Sequence, residues 1–81
     1  MNISRQERRI LQMLAQGGYI QLERDARKKL ISASFISREG WHMSDADAQC
    51  WKKLRARRLI QTHGQGIYRI SRSGLLALQT R

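Results

Sequence analysis

Proline is missing from this 81-residue chain, and cysteine occurs once, as Cys50. A lone cysteine closes no internal disulfide, so the fold must hold without covalent staples and needs no oxidising compartment. No apolar run approaches the roughly 18 residues that span a bilayer. The opening Met1-Asn2-Ile3-Ser4-Arg5-Gln6-Glu7-Arg8-Arg9 has no apolar segment of the signal-peptide kind. These absences set the expectation of a cytoplasmic protein with no membrane partner. The most informative shortage is of acid. All six carboxylates (Glu7, Glu23, Asp25, Glu39, Asp45, Asp47) precede position 48, where eight basic residues accompany them. From Ala48 onward there are eight cations and no anion, and the formal net charge is +10. A field that lopsided attracts polyanions or an acidic protein surface.

What is present describes a small folded unit. At 41% apolar and 27% charged the composition is globular, and the length suits one domain over residues 1–81. Ser4 with Glu7 reads as a capping box opening a helix over Arg5 to Gln16, with Ile10, Leu11 and Leu14 as its apolar stripe. Gly17-Gly18 supplies the left-handed stop. The apolar period then falls to two in Tyr19-Ile20-Gln21-Leu22-Glu23 and Ile31-Ser32-Ala33-Ser34-Phe35, which predicts a hairpin across the polar 24–29 connection. A second helix is expected after Ser44, with Asp45 and Asp47 at its positive end. Its face of Ala46, Cys50, Trp51 and Leu54 is apolar, and its opposite side is cationic. Leu59-Ile60-Gln61-Thr62 and Ile67-Tyr68-Arg69-Ile70 flank the glycine-bearing loop 63–66, a second hairpin signal. Ser71 caps a closing helix, for which Leu75, Leu76 and Leu78 give the expected apolar side and Ile70 with Leu75 a hydrophobic staple.

The reading is therefore an α+β, winged-helix-like fold: helix, hairpin, basic helix, wing hairpin, short C-terminal helix. In such a fold the helix offers cations at groove width and the hairpin tip reaches neighbouring phosphates. Lys52, Lys53, Arg55 and Arg58 are the candidate helix contacts for nucleic acid or an acidic partner, and Arg69 and Arg72 flank the wing. The 19–36 hairpin stands where a winged helix normally has a helix, which is a departure from ordinary groove readers. Trp51 and Tyr68 fall on inward faces and read as core, whereas Trp41, in the Gly40 bend, is balanced between a core lid and a contact residue.

Nothing in the chain assembles catalytic chemistry. Cys50 reads as a small buried hydrophobe with no histidine spaced to serve as its base. His42, His63 and Cys50 do not match zinc-ligand spacing. Asp45 and Asp47 face different ways on a helix. No phosphate loop, nucleophile elbow or paired-metal motif occurs. The expectation is a binding protein, not an enzyme, without metal or cofactor.

Several stretches carry a family likeness: Met1 to Glu7, Gly17-Gly18, Ser37-Arg38-Glu39-Gly40, Trp51-Lys52-Lys53-Leu54 through Leu59-Ile60, and Gly66-Ile67-Tyr68-Arg69-Ile70 with Gly74-Leu75. In their order along the chain they resemble the YjhX-type toxin family. The resemblance implies the toxin of a bacterial toxin–antitoxin pair that binds and inhibits DNA topoisomerase I, with a separately encoded antitoxin protein as its second partner. Ser37, Arg38, Glu39, Gly40 and Trp41 are then the candidate protein-contact loop. The alternative that the charge pattern keeps open is a DNA-binding transcriptional regulator.

Overall fold

The computed structural model describes residues 3–79. Helix α1 (Arg5–Ala15) begins on the expected capping box. Ser4 Oγ accepts the Glu7 backbone N–H at 3.0 Å, and Glu7 Oε1 accepts the Ser4 N–H at 2.9 Å. Two of the helix's orphan donors are thereby satisfied reciprocally. Ile10, Leu11 and Leu14 are buried along one stripe. The helix stops where Gly17 turns left-handed at φ +108°. There the Gly17 and Gly18 N–H groups close back onto the carbonyls of Leu14 and Met13, the paired bonds of a Schellman stop.

Strands β1 (Tyr19–Arg24) and β2 (Leu30–Ile36) form the first hairpin, and β3 (Ile60–Thr62) with β4 (Ile67–Ile70) the second. Helix α2 (Ala48–Ala56) lies between the hairpins and α3 (Arg72–Gln79) follows them, so the chain is α+β in the expected element order. Antiparallel pairing of β1 with β4 joins the hairpins into one sheet of order β2-β1-β4-β3.

Strand alternation sorts the sheet's two faces. Ile20, Leu22, Phe35 and Ile60 are buried in a single cluster with Ile10, Leu11 and Leu14 of α1, Cys50, Trp51 and Leu54 of α2, and Ala77 of α3. All three helices therefore converge on this face. The alternate positions, among them Tyr19, Gln21, Ser32, Ser34 and Arg69, leave from the other.

Three local expectations are corrected. Helix α2 starts at Ala48, not just after Ser44, because Asp47 is its N-cap: its Oδ1 accepts from the N–H groups of Gln49 and Cys50. Asp45 lies outside the helix and pairs with Arg9 at 3.0 Å. Ile31 shares its parity with Phe35 but is 61% exposed. The ladder slips between Glu23 and Arg24, leaving Ile31 without an opposite residue, and it lines an open surface hollow beside the start of α2. In α3 the inward residues are Gly74 and Ala77, with Leu78 partly buried, while Leu75 and Leu76 are 44% and 54% exposed. This helix lies so close to the chain leaving α2 that only small side chains fit beneath it, which turns the two leucines outward.

Candidate functional site

The cations singled out in the sequence do not form one continuous patch. Lys52, Lys53 and Arg55 are exposed on α2, opposite its buried Cys50, Trp51 and Leu54. Trp51 is 4% exposed, so it contacts no partner directly. Its ring makes a T-shaped contact with Tyr68 at 5.6 Å and carries the Arg55 guanidinium over it at 5.4 Å. That placement makes the indole a platform that fixes Arg55 by cation–π attraction. Arg58 follows at the helix stop, and Arg72 opens α3. Ser71 joins the two, its Oγ donating to the Arg58 carbonyl at 2.7 Å and accepting the Gly74 N–H at 3.1 Å. Arg69 stands apart, because its neighbours Tyr68 and Ile70 pack on the core and alternation sends Arg69 to the opposite sheet face.

The acid-free half of the chain draws a counter-charge from the other half. Arg57 reaches Glu7 of α1, with Nη1 at 3.0 and 2.9 Å from the two carboxylate oxygens. Burial pushes the Glu7 carboxyl up, but hydrogen bonds from Ser4 and Arg57, with the Arg57 charge, outweigh it and hold the group below the ordinary carboxylate range. A depressed carboxyl binds its proton less readily folded than unfolded. Its stabilisation is therefore complete above about pH 4.5 and drains away as pH falls through the folded value. Thermal melts across pH 3 to 6 should show a loss on the acid side that is smaller in Glu7→Gln.

Arg58 occupies a position that glycine fills elsewhere in the same molecule. Its N–H and that of Leu59 close onto Arg55 and Leu54 as the Gly17 pair does in α1, yet Arg58 does so at φ +58°. A side chain in the left-handed region costs about 1 kcal/mol. Arg72 is similarly ill-placed for stability, a cation in the first turn of a helix. Arg58→Gly should raise stability by about 0.5–1 kcal/mol, a melting shift of about 2–8 °C, while removing a charge. A lower melting temperature would show that the side chain supports the fold instead.

The candidate contact loop lies at the base of the first hairpin. Ser37 organises it: its N–H donates to the Trp41 carbonyl at 2.8 Å, its carbonyl accepts from Gly40, and its Oγ accepts the Trp41 N–H at 3.0 Å. Gly40, at φ +94°, makes the bend. Ser37 is half-buried, and Arg38, Glu39, Gly40 and Trp41 are exposed, Trp41 to 75%. The tryptophan projects from a hydrogen-bonded backbone and is not a lid. At the opposite end of the hairpin the connection 24–29 gathers Arg24, Arg27, Lys28 and Lys29. The sequence reading left these four cations out of the site, although their density was its visible signal.

Across its whole length, residues 1–81, the chain matches the YjhX toxin family model, described as "Putative toxin of bacterial toxin-antitoxin pair". It belongs to that family. A UPF0386 protein of Rhodospirillum centenum is 46% identical over 79 residues, covering 98% of this chain and 92% of the relative. UPF0386 proteins of Caulobacter vibrioides and Hyphomonas neptunium are 43% and 44% identical over all 81 residues, 89% and 95% of their own lengths. No solved structure matches the chain. Membership of the YjhX family implies an antitoxin as partner. Cys50 of this YjhX-family chain is buried. Among the described residues no three His, Cys, Asp or Glu side chains converge as metal ligands, and no helix is long and apolar enough to cross a membrane.

Proposed function

We propose that this chain is a toxin that acts by stoichiometric binding to bacterial DNA topoisomerase I, blocking relaxation. Family membership supports the toxin part, and Trp41 is the observation that carries the binding mode. A large aromatic that is 75% exposed on a hydrogen-bonded loop is preorganised to anchor in a partner's pocket, the usual place of an interface hot spot. Purified topoisomerase I should be retained by the immobilised chain, and plasmid relaxation should fall at molar excess. Trp41→Ala should weaken binding by about 2 kcal/mol, roughly 30-fold, without lowering the melting temperature. Absence of binding together with normal relaxation at molar excess would end this reading.

The outward cations of α2 favour a second reading, a DNA-binding regulator. A basic helix followed by a hairpin whose β4 pairs with β1 is a winged-helix-like arrangement, and α2 with the β3–β4 wing would then contact DNA. Such binding weakens steeply with salt. The two readings separate cleanly: inhibition through the enzyme persists at salt that strips the protein from DNA, whereas inhibition through DNA does not.

A further inference from the structure

The register of the sheet places the turns of both hairpins at one end. β4 enters opposite Gln21, and the Leu22 N–H donates to the Gly66 carbonyl at 2.8 Å, which sets the 63–66 loop beside the last residues of β1. The 25–29 turn caps those same residues. With strands about 4.8 Å apart, the two hairpin midlines lie about 10 Å from each other, comparable to the width of a DNA groove. One tip is glycine-bearing and holds no Lys, Arg, Asp or Glu. The other carries Arg27, Lys28 and Lys29, all exposed.

The first turn is built to present those charges. Its one acid is turned to structural use, since Asp25 Oδ1 accepts the N–H groups of Arg27 and Lys29, each at 2.9 Å. Arg24 is committed as well, Nη1 donating to the Lys28 carbonyl at 3.0 Å. Lys28 sits at φ +63°, a position in a three-residue hairpin loop where glycine is favoured. As at Arg58, a long cation stands where the backbone would relax with none.

We propose that these paired tips form a second contact surface, separate from α2, that grips the phosphate backbone of duplex DNA. The inference rests on the DNA-binding reading and extends it to residues that reading does not use. The occupant follows from the side chains. Residues 23–29 offer no apolar or aromatic group larger than Ala26, so they lack the buried apolar and aromatic anchors on which a protein interface centres, and what they present is charge. The tip sequences contain no Phe, Tyr or Trp on which unpaired bases could stack, and His63 is the one ring they hold. Flexible cations on a hairpin tip match the evenly charged backbone of a duplex.

The test compares the wild-type chain with a tip variant, Arg27→Gln/Lys28→Gly/Lys29→Gln, and a helix variant, Lys52→Gln/Lys53→Gln/Arg55→Gln. Fluorescence anisotropy with a short mixed-sequence duplex is followed through a salt titration, and melting curves establish that each variant folds. Glycine at position 28 suits the turn, so the tip variant should retain its melting temperature. It should bind about tenfold or more weakly at low salt, with a log–log salt slope shallower by about 2 to 3. An unchanged slope and affinity in the tip variant would overturn the proposal, whatever the helix variant does. A helix variant that binds normally beside a crippled tip variant would instead remove α2 from the DNA reading and leave the tips in place. No binding of the wild-type chain to duplex, or tighter binding to a single strand of equal length, would also overturn it.

Discussion

Phe35→Ala should cost about 3–5 kcal/mol, the range for deleting a buried aromatic with partial collapse of the cavity. Phe35 is fully buried, pairs with Ile20 across the first hairpin, and belongs to the cluster where β1, β2 and the helices meet. A chain of this length has about 4–12 kcal/mol of total stability, so the variant should lose from about a quarter to all of it. Urea unfolding followed by tryptophan fluorescence measures it, because Trp51 is buried in the core. Ile31→Ala is the matched control. At 61% exposure it should change stability by no more than about 0.5 kcal/mol. A loss below about 1 kcal/mol for Phe35→Ala would mean that the sheet and helices are not packed as described.

Gly74→Ala should destabilise the protein by about 1–3 kcal/mol, against the direction that helix propensity gives. Within an ordinary helix alanine is favoured over glycine by about 1 kcal/mol. Here an added Cβ would stand 2.3 Å from the Leu59 carbonyl oxygen and 2.7 Å from Ile70 Cγ1. That carbonyl is held by the Ser71 N–H at 3.0 Å, so it cannot retreat without breaking the joint between α2, β4 and α3. Gly64 offers the contrast: it has open space around it at φ +85°, and its alanine variant meets only backbone strain of about 1 kcal/mol. Thermal melts of the two variants decide the matter. If Gly74→Ala melts at or above the wild-type temperature, α3 does not sit against Leu59 as described.

The two glycines also show where sequence reasoning reached its limit. Gly17 announced itself, because a glycine after an amphipathic stripe that opens with a capping box has one common use. Gly74 carried no such sign, and Leu75, Leu76 and Leu78 were expected to do the packing. Only the proximity of Leu59 and Ile70 reveals that glycine is the contact and that Leu75 and Leu76 face outward. The same limit applies to charge. Counting acids separated a basic half from a mixed one, yet Glu7 and Arg57, fifty positions apart, meet in the fold. Arg69, adjacent in sequence to inward-facing residues, departs to the far face.

Local order, then, was written in one dimension. Caps, periods of 3.6 and 2, and glycine stops depend on neighbours within a few residues, so the succession of α1, two hairpins, α2 and α3 could be read directly from the chain. The pairing of β1 with β4 could not, since its partners lie about fifty positions apart. That pairing decides which tips share an end, which cations share a face, and which residues lie under a helix. The tip cations Arg27, Lys28 and Lys29 became a candidate surface only when the second hairpin was found beside them, and Trp41 a candidate anchor only when the core closed without it.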